Sequence, residues 1–203
     1  MDAGARSGLY AFFSRIFVKE LDDAAIDALT GPLGRELLPE LQESDEPALA
    51  RDPERRVAVL DADFVSLTIV NVVPYESFYR RDDAMVEGGV KNPVAQFLKA
   101  YGFEADLAQA RALASDHLGI ELETLAVLCA HEAEAAARPD DAYAAHIRGI
   151  QRAFLREHVL AWAPMYLFAV ERCAHTTLYG EAARVAMRFL ASDYEALCAE
   201  AGA

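Results

Sequence analysis

The chain has 203 residues, 54% hydrophobic and 26% charged, the composition of a folded globular protein and not of a disordered one. Its 33 Asp and Glu outnumber 19 Lys and Arg, for a formal charge of −14; a field of that sign repels phosphate backbones and argues against nucleic acid, while it attracts basic peptides and aids solubility. Cys129, Cys173 and Cys198 form no close pair, which fits a reducing compartment and suggests neither a disulfide framework nor a zinc site.

At the N-terminus, Met1 to Arg15 carries charged and polar residues early and lacks an apolar run leading to a small-residue cleavage site. No segment reaches the roughly 18 apolar residues of a membrane span. A cytoplasmic location without stable membrane insertion is therefore expected. Leu9, Phe12, Phe13, Ile16 and Phe17 recur at helical spacing and predict a first helix with one apolar face. A second helix is predicted from about Asp22, with Ala25, Ile26 and Leu29 inward, ending at a left-handed Gly31 cap and Pro32.

The polar segment from Glu43 to Pro53 reads as a surface loop or short irregular helix. Val57, Leu60, Phe64 and Leu67 mark a long helix, and the β-branched run from Thr68 to Val73 reads as its end plus loop, stopped by Pro74. Residues 71–92 form a second irregular loop, long enough to be functional or mobile. Asn92 and Pro93 predict an N-cap and first helical position, with Gly102 as the stop. Further on, Leu118, Leu122, Leu125 and Cys129 share one face, as do Ile147, Ile150 and Phe154. The last helix is expected to turn Val185, Phe189, Leu190 and Leu197 inward and Arg184, Arg188 and Glu195 outward. Helix follows helix, which predicts an all-α, single-domain bundle over residues 1–203.

Three constellations could carry function. Pro74-Tyr75-Glu76-Ser77-Phe78-Tyr79-Arg80-Arg81 is aromatic for a connector, which suits a peptide-binding surface, although Tyr75, Phe78 and Tyr79 could equally pin the loop to the core. Ser115-Asp116-His117-Leu118-Gly119 places Ser115 or Asp116 as a helix cap, and the Asp–His pair could also hydrogen-bond a peptide backbone. His158-Val159-Leu160-Ala161-Trp162-Ala163-Pro164 is explained by packing, with Pro164 interrupting the helix. Enzyme signatures are weak. His131-Glu132 begins like a zinc-protease motif, but residue 135 is Ala. Cys129 and His131 point to different helix faces, Gly88-Gly89 lacks the lysine of a phosphate loop, and no G-x-S-x-G elbow is present. The residues by themselves describe a helical binding domain.

In order along the chain, Leu9-Tyr10-Ala11-Phe12-Phe13-Ser14-Arg15, Tyr75-Glu76-Ser77-Phe78-Tyr79, Asp116-His117-Leu118-Gly119-Ile120-Glu121-Leu122 and His158 to Pro164 resemble the TorD/DmsD/NarJ family of redox-enzyme maturation chaperones. The Asp-His-Leu-Gly segment is the most specific of these, and the resemblance spans nearly the whole chain. It implies an all-helical fold, no catalysis and no cofactor. It also implies a partner: the apo catalytic subunit of a molybdopterin or tungstopterin oxidoreductase, often gripped by its twin-arginine signal peptide until the cofactor is inserted. A monomer or a helix-exchanged dimer is implied as well. The matching peptide-binding residues are Asp116 and His117, with Tyr75, Ser77 and Tyr79 nearby; Ser115 stands where members often have proline. Two other classes stay open on the residues alone. One is a helical small-molecule-binding regulatory domain, and the other a metal-dependent helical enzyme using His117, His131 or His158.

Overall fold

The computed structural model describes residues 1–138 and 141–201. The fold is all-α. Among the described residues no strand forms, and the one piece of β-pairing is an isolated antiparallel bridge between Tyr75 and His117. Two compact units, each assembled from non-contiguous segments, divide the chain: residues 1–18, 75–163 and 189–203 in one, residues 19–74 and 164–188 in the other.

The first unit is built on the helices Ala3–Val18 and Leu118–Ala136, which pack extensively on one another, and on Asp141–Glu157, which packs against the second of them. Their buried faces are the predicted ones apart from Leu9, which is only partly buried: Phe12, Phe13, Ile16 and Phe17, then Leu118, Leu122, Leu125 and Cys129, then Ile147, Ile150 and Phe154. Each such side chain fully removed from water contributes about 1.5–3 kcal/mol. Small and hydroxylic residues let the first pair come close. A Cβ on Gly119 would sit 2.5 Å from the Val18 Cβ, while Ser14 Oγ donates to the Gly119 carbonyl at 2.8 Å and Ser7 Oγ to that of Ala126 at 2.8 Å.

The first helix also buries a charge that its apolar spacing did not announce. Arg6 is 6% exposed; its Nε and Nη2 meet Asp193 at 2.6 and 2.9 Å and its Nη1 meets Glu132 at 3.0 Å. Tyr10 donates to the same Asp193 at 2.6 Å. A buried guanidinium is tolerable only with its carboxylates in place, which explains why Asp193 and Glu132 point inward on otherwise apolar faces.

In the second unit, buried carboxylates serve as helix caps. Asp63 accepts from the Thr176 amide and hydroxyl at 2.9 and 2.7 Å, and Glu46 accepts from the Thr177 and Leu178 amides at 2.7 and 2.8 Å. Together they satisfy the free amides at the start of Thr177–Ala201. Glu181, further along that helix, accepts from the Glu40 and Leu41 amides opening Pro39–Glu43. Residues 53–71 run as one helical stretch with π-turns at Val57–Asp61 and Ser66–Asn71. The β-branched segment ends there, and Val72 is extended. Ile69, Val70, Met165 and Phe168 of this unit are 72%, 72%, 65% and 57% exposed.

Local expectations met varied outcomes. Asn92 caps Pro93–Ala100 through the Ala95 amide at 3.0 Å, and Gly102 follows at φ +77°. The Glu43–Pro53 segment contains the short helix Glu46–Ala50. Gly31 is not left-handed, because Pro32 opens another helix immediately and holds Gly31 extended at φ −76°, ψ −179°. Pro164 starts the helix Ala163–Cys173 after a break at Trp162, so it marks a beginning where an interruption was expected. In the last helix Leu190 and Leu197 are buried, but Val185 and Phe189 only partly so. No described helix is long and apolar enough to cross a membrane.

Candidate functional site

The bridge between Tyr75 and His117 organises the first unit's irregular surface. Pro74 keeps the preceding chain out of the helical region, and Tyr75 is extended at φ −128°, ψ 131° before the short helix Glu76–Arg80 begins. The Glu76 amide donates to the Asp116 carbonyl at 3.0 Å. The next amide, that of Ser77, donates to Asp116 Oδ2 at 2.7 Å. Asp116 thus caps the short helix across space, while its other oxygen, Oδ1, is buried without a hydrogen-bond partner among the described residues.

The helix that starts at Leu118 is capped by His117, not by Ser115 or Asp116: the His117 Nδ1 accepts from the Gly119 amide at 3.1 Å. A cap that accepts at Nδ1 requires a neutral ring with its proton on Nε2. Burial supplies that condition, leaving His117 4% exposed and pushing its pKa down from 6.5 to about 4. Its ring meets Tyr75 edge-on at 5.1 Å, and the Tyr75 hydroxyl accepts from the Leu113 amide at 2.9 Å.

All five residues singled out in the sequence therefore fall in one region, but they divide by exposure. Asp116, His117, Tyr75 and Ser77 are buried at 0%, 4%, 7% and 5% exposure, so they shape the surface from beneath. Ser77 Oγ accepts from the Glu87 amide at 2.9 Å, and Asn92 Nδ2 donates to the Glu87 carbonyl at 2.8 Å, which pins the far end of the loop. Tyr79 is half-buried, with its ring stacked on Trp162 at 5.3 Å, and burial raises its hydroxyl to about 12.

Residues the motif reading assigned to packing, or passed over, complete the site. Glu76 is 2% exposed, takes the guanidinium of Arg80 on one oxygen and His158 Nδ1 on the other, the latter at 2.9 Å. Arg80 also donates to the Glu157 carbonyl at 2.6 Å. The spacing of Glu76 and Arg80, four apart on a helix, was a signal available in the sequence. Trp162 Nε1 donates to Glu121 at 3.1 Å. Glu121 is fully buried, and that burial, followed by the neighbouring charge of Glu76, raises its carboxyl well above 4.5. Beside this layer opens a cavity of about 660 Å³, its wall including Glu76, Arg80, Arg81, Glu87, Lys91 and His158. Among the described residues no three His, Cys, Asp or Glu side chains converge as metal ligands. His131 lies apart, against the Phe103 ring at 6.0 Å.

Comparison with known proteins gives a consistent result. The family model described as nitrate reductase delta subunit matches residues 20–167. The chain is similar to the chaperone protein TorD of Vibrio cholerae, 29% identical over 95% of this chain and 91% of that protein. It is similar to the TorD chaperone of Salmonella bongori, 27% identical over 95% and 90%, and to that of Aeromonas salmonicida, 29% identical over 93% and 89%. No solved structure matches the chain.

Proposed function

Because the chain belongs to the nitrate reductase delta subunit family, we propose that it is a system-specific maturation chaperone that binds an apo-oxidoreductase and not an enzyme. Its client is the catalytic subunit of a molybdopterin or tungstopterin oxidoreductase. The chaperone works in the cytoplasm, grips the client through its signal peptide, and holds it until the cofactor has been inserted. The chaperone names of relatives that align over nearly the full length support this reading.

The observation that carries the binding site is the layering at the Tyr75–His117 bridge. Asp116 and His117 lie beneath, and a half-exposed aromatic and charged segment lies above, beside a cavity of about 660 Å³. A fixed understructure lets the upper layer meet an extended peptide at small ordering cost. Tyr79 offers an apolar face, and the chain's formal charge of −14 draws a basic segment from a distance. In this reading Tyr75, Ser77, Asp116 and His117 position the surface, and Tyr79 touches the client.

Fluorescence polarisation with a labelled peptide, basic at its front and apolar in its middle, tests the proposal. Binding at roughly micromolar Kd, about −8 kcal/mol, is expected, because a holding chaperone must also release. If neither signal peptides nor peptides from the mature client bind at high micromolar concentration, the reading is wrong.

A further inference from the structure

The cavity wall carries a charge balance opposite to that of the chain as a whole. Arg80, Arg81, Lys91 and Arg156 line it, against the carboxylates of Glu76, Glu87 and Glu157. Four cations facing three anions repel a basic ligand, although the chain has a formal charge of −14. Two of the four are consecutive in sequence, and both are engaged with the wall's own carboxylates. Arg80 grips Glu76 and the Glu157 carbonyl. Arg81 grips Glu87, and holds Asp83 with two bonds of 2.9 and 2.6 Å.

We propose that Arg80 and Arg81 are an internal mimic of the basic segment of the client: they occupy the carboxylates that an arginine pair of the bound peptide takes, and they swing out when it seats. This rests on the peptide-binding reading above and adds its regulation. Three features of the contact support it. First, the Arg81 socket suits guanidinium and not ammonium, since Nε and Nη2 take Asp83 side by side while Nη1 takes Glu87, whereas Arg80 makes both of its bonds through Nη1. Second, the exchange is balanced at the point where it matters. The Glu76 side chain is 2% exposed and needs a cation, whereas that of Arg80 is 47% exposed and is readily solvated when displaced. Third, displacement inverts the wall. With Arg80 and Arg81 turned to solvent, two cations face three carboxylates, so the surface attracts a basic peptide only once the mimic has left. Self-occupancy of this kind lowers apparent affinity by the fraction of molecules that hold the site closed, which favours the release a maturation chaperone needs.

The test has two arms on the full chain. In the first, arginyl-arginine amide is titrated against the protein while the Arg80 and Arg81 guanidinium Nε–H signals are followed by NMR. The dipeptide should shift and broaden both signals, and lysyl-lysine amide should leave that of Arg81 in place. Unmoved signals overturn the proposal. In the second, the labelled signal peptide is titrated against wild type, Arg80→Ala and Arg81→Ala, each checked for an unchanged melting temperature. Both variants should bind about three- to tenfold more tightly than wild type, with no gain for a peptide whose arginine pair is replaced by alanines. Arg81→Ala is the safeguard if Arg80→Ala unfolds, since its carboxylate partners are Asp83, half-exposed, and Glu87, 24% exposed in its side chain. Equal or weaker binding by the variants overturns the mimic and leaves the chaperone reading standing. If the dipeptide displaces the arginines but no form binds the signal peptide, the sockets stand and the chaperone reading fails.

Discussion

His117 carries two duties that depend on one proton. As a neutral ring it caps Leu118–Ala136 at the Gly119 amide, and as a buried ring it supports Tyr75. Its pKa falls to about 4 from 6.5 on folding, so the unfolded chain takes up the proton first. The stability tied to this residue is complete above pH 6.5 and is lost as pH falls from 6.5 towards 4. His117→Asn keeps a capping acceptor and does not titrate. Thermal melts should therefore show the variant losing less stability than wild type between about pH 7 and about pH 4.5; parallel losses would mean that another group sets the acid limit.

At the scale of elements, the strap formed by residues 75–92 is a loop only in name. Its backbone is held by Asp116, Ser77 and Asn92, side chains that supply the hydrogen bonds a sheet neighbour would otherwise give. Asp116→Ala strands the buried Ser77 amide at a cost of about 1–3 kcal/mol. Hydrogen exchange at Ser77 and Glu87 should speed up markedly while circular dichroism stays unchanged, since the long helices do not depend on that bond. Signal-peptide affinity should fall with it, through loss of the strap's position. The close crossing of Ala3–Val18 and Leu118–Ala136 makes a separate prediction. Gly119→Ala drives a methyl against Val18, 2.5 Å away, and should destabilise the protein by about 1–3 kcal/mol, read by urea denaturation. A variant as stable as wild type would mean that the helices part without penalty.

For the molecule as a whole, the formal charge of −14 acts at long range and the arginine-rich cavity wall acts at contact. Over distances beyond about 10 Å in 0.1 M salt the net field is screened, so added salt should slow association with a basic peptide more than it speeds dissociation. Stopped-flow traces at several salt concentrations separate the two rates. An association rate indifferent to salt would remove the steering role of the acidic surface.

Periodicity made the helices legible. Apolar residues at helical spacing can bury themselves in only one way, so the buried faces of Ala3–Val18, Leu118–Ala136 and Asp141–Glu157 follow from the order of residues. The Asn92 cap was equally readable, being local chemistry within one turn, and the Asp-His-Leu-Gly segment pointed to the region that holds the candidate site. What the chain order could not disclose is which polar groups meet across long separations. Asp116 looked like a cap for the helix beside it and instead caps a segment 39 residues earlier. Glu76 and His158 are 82 residues apart, and Arg6 and Asp193 are 187 apart. Burial decided those pairings: a charge or amide withdrawn from water needs a partner within about 3 Å, and only the folded chain determines which side chain is close enough to be that partner.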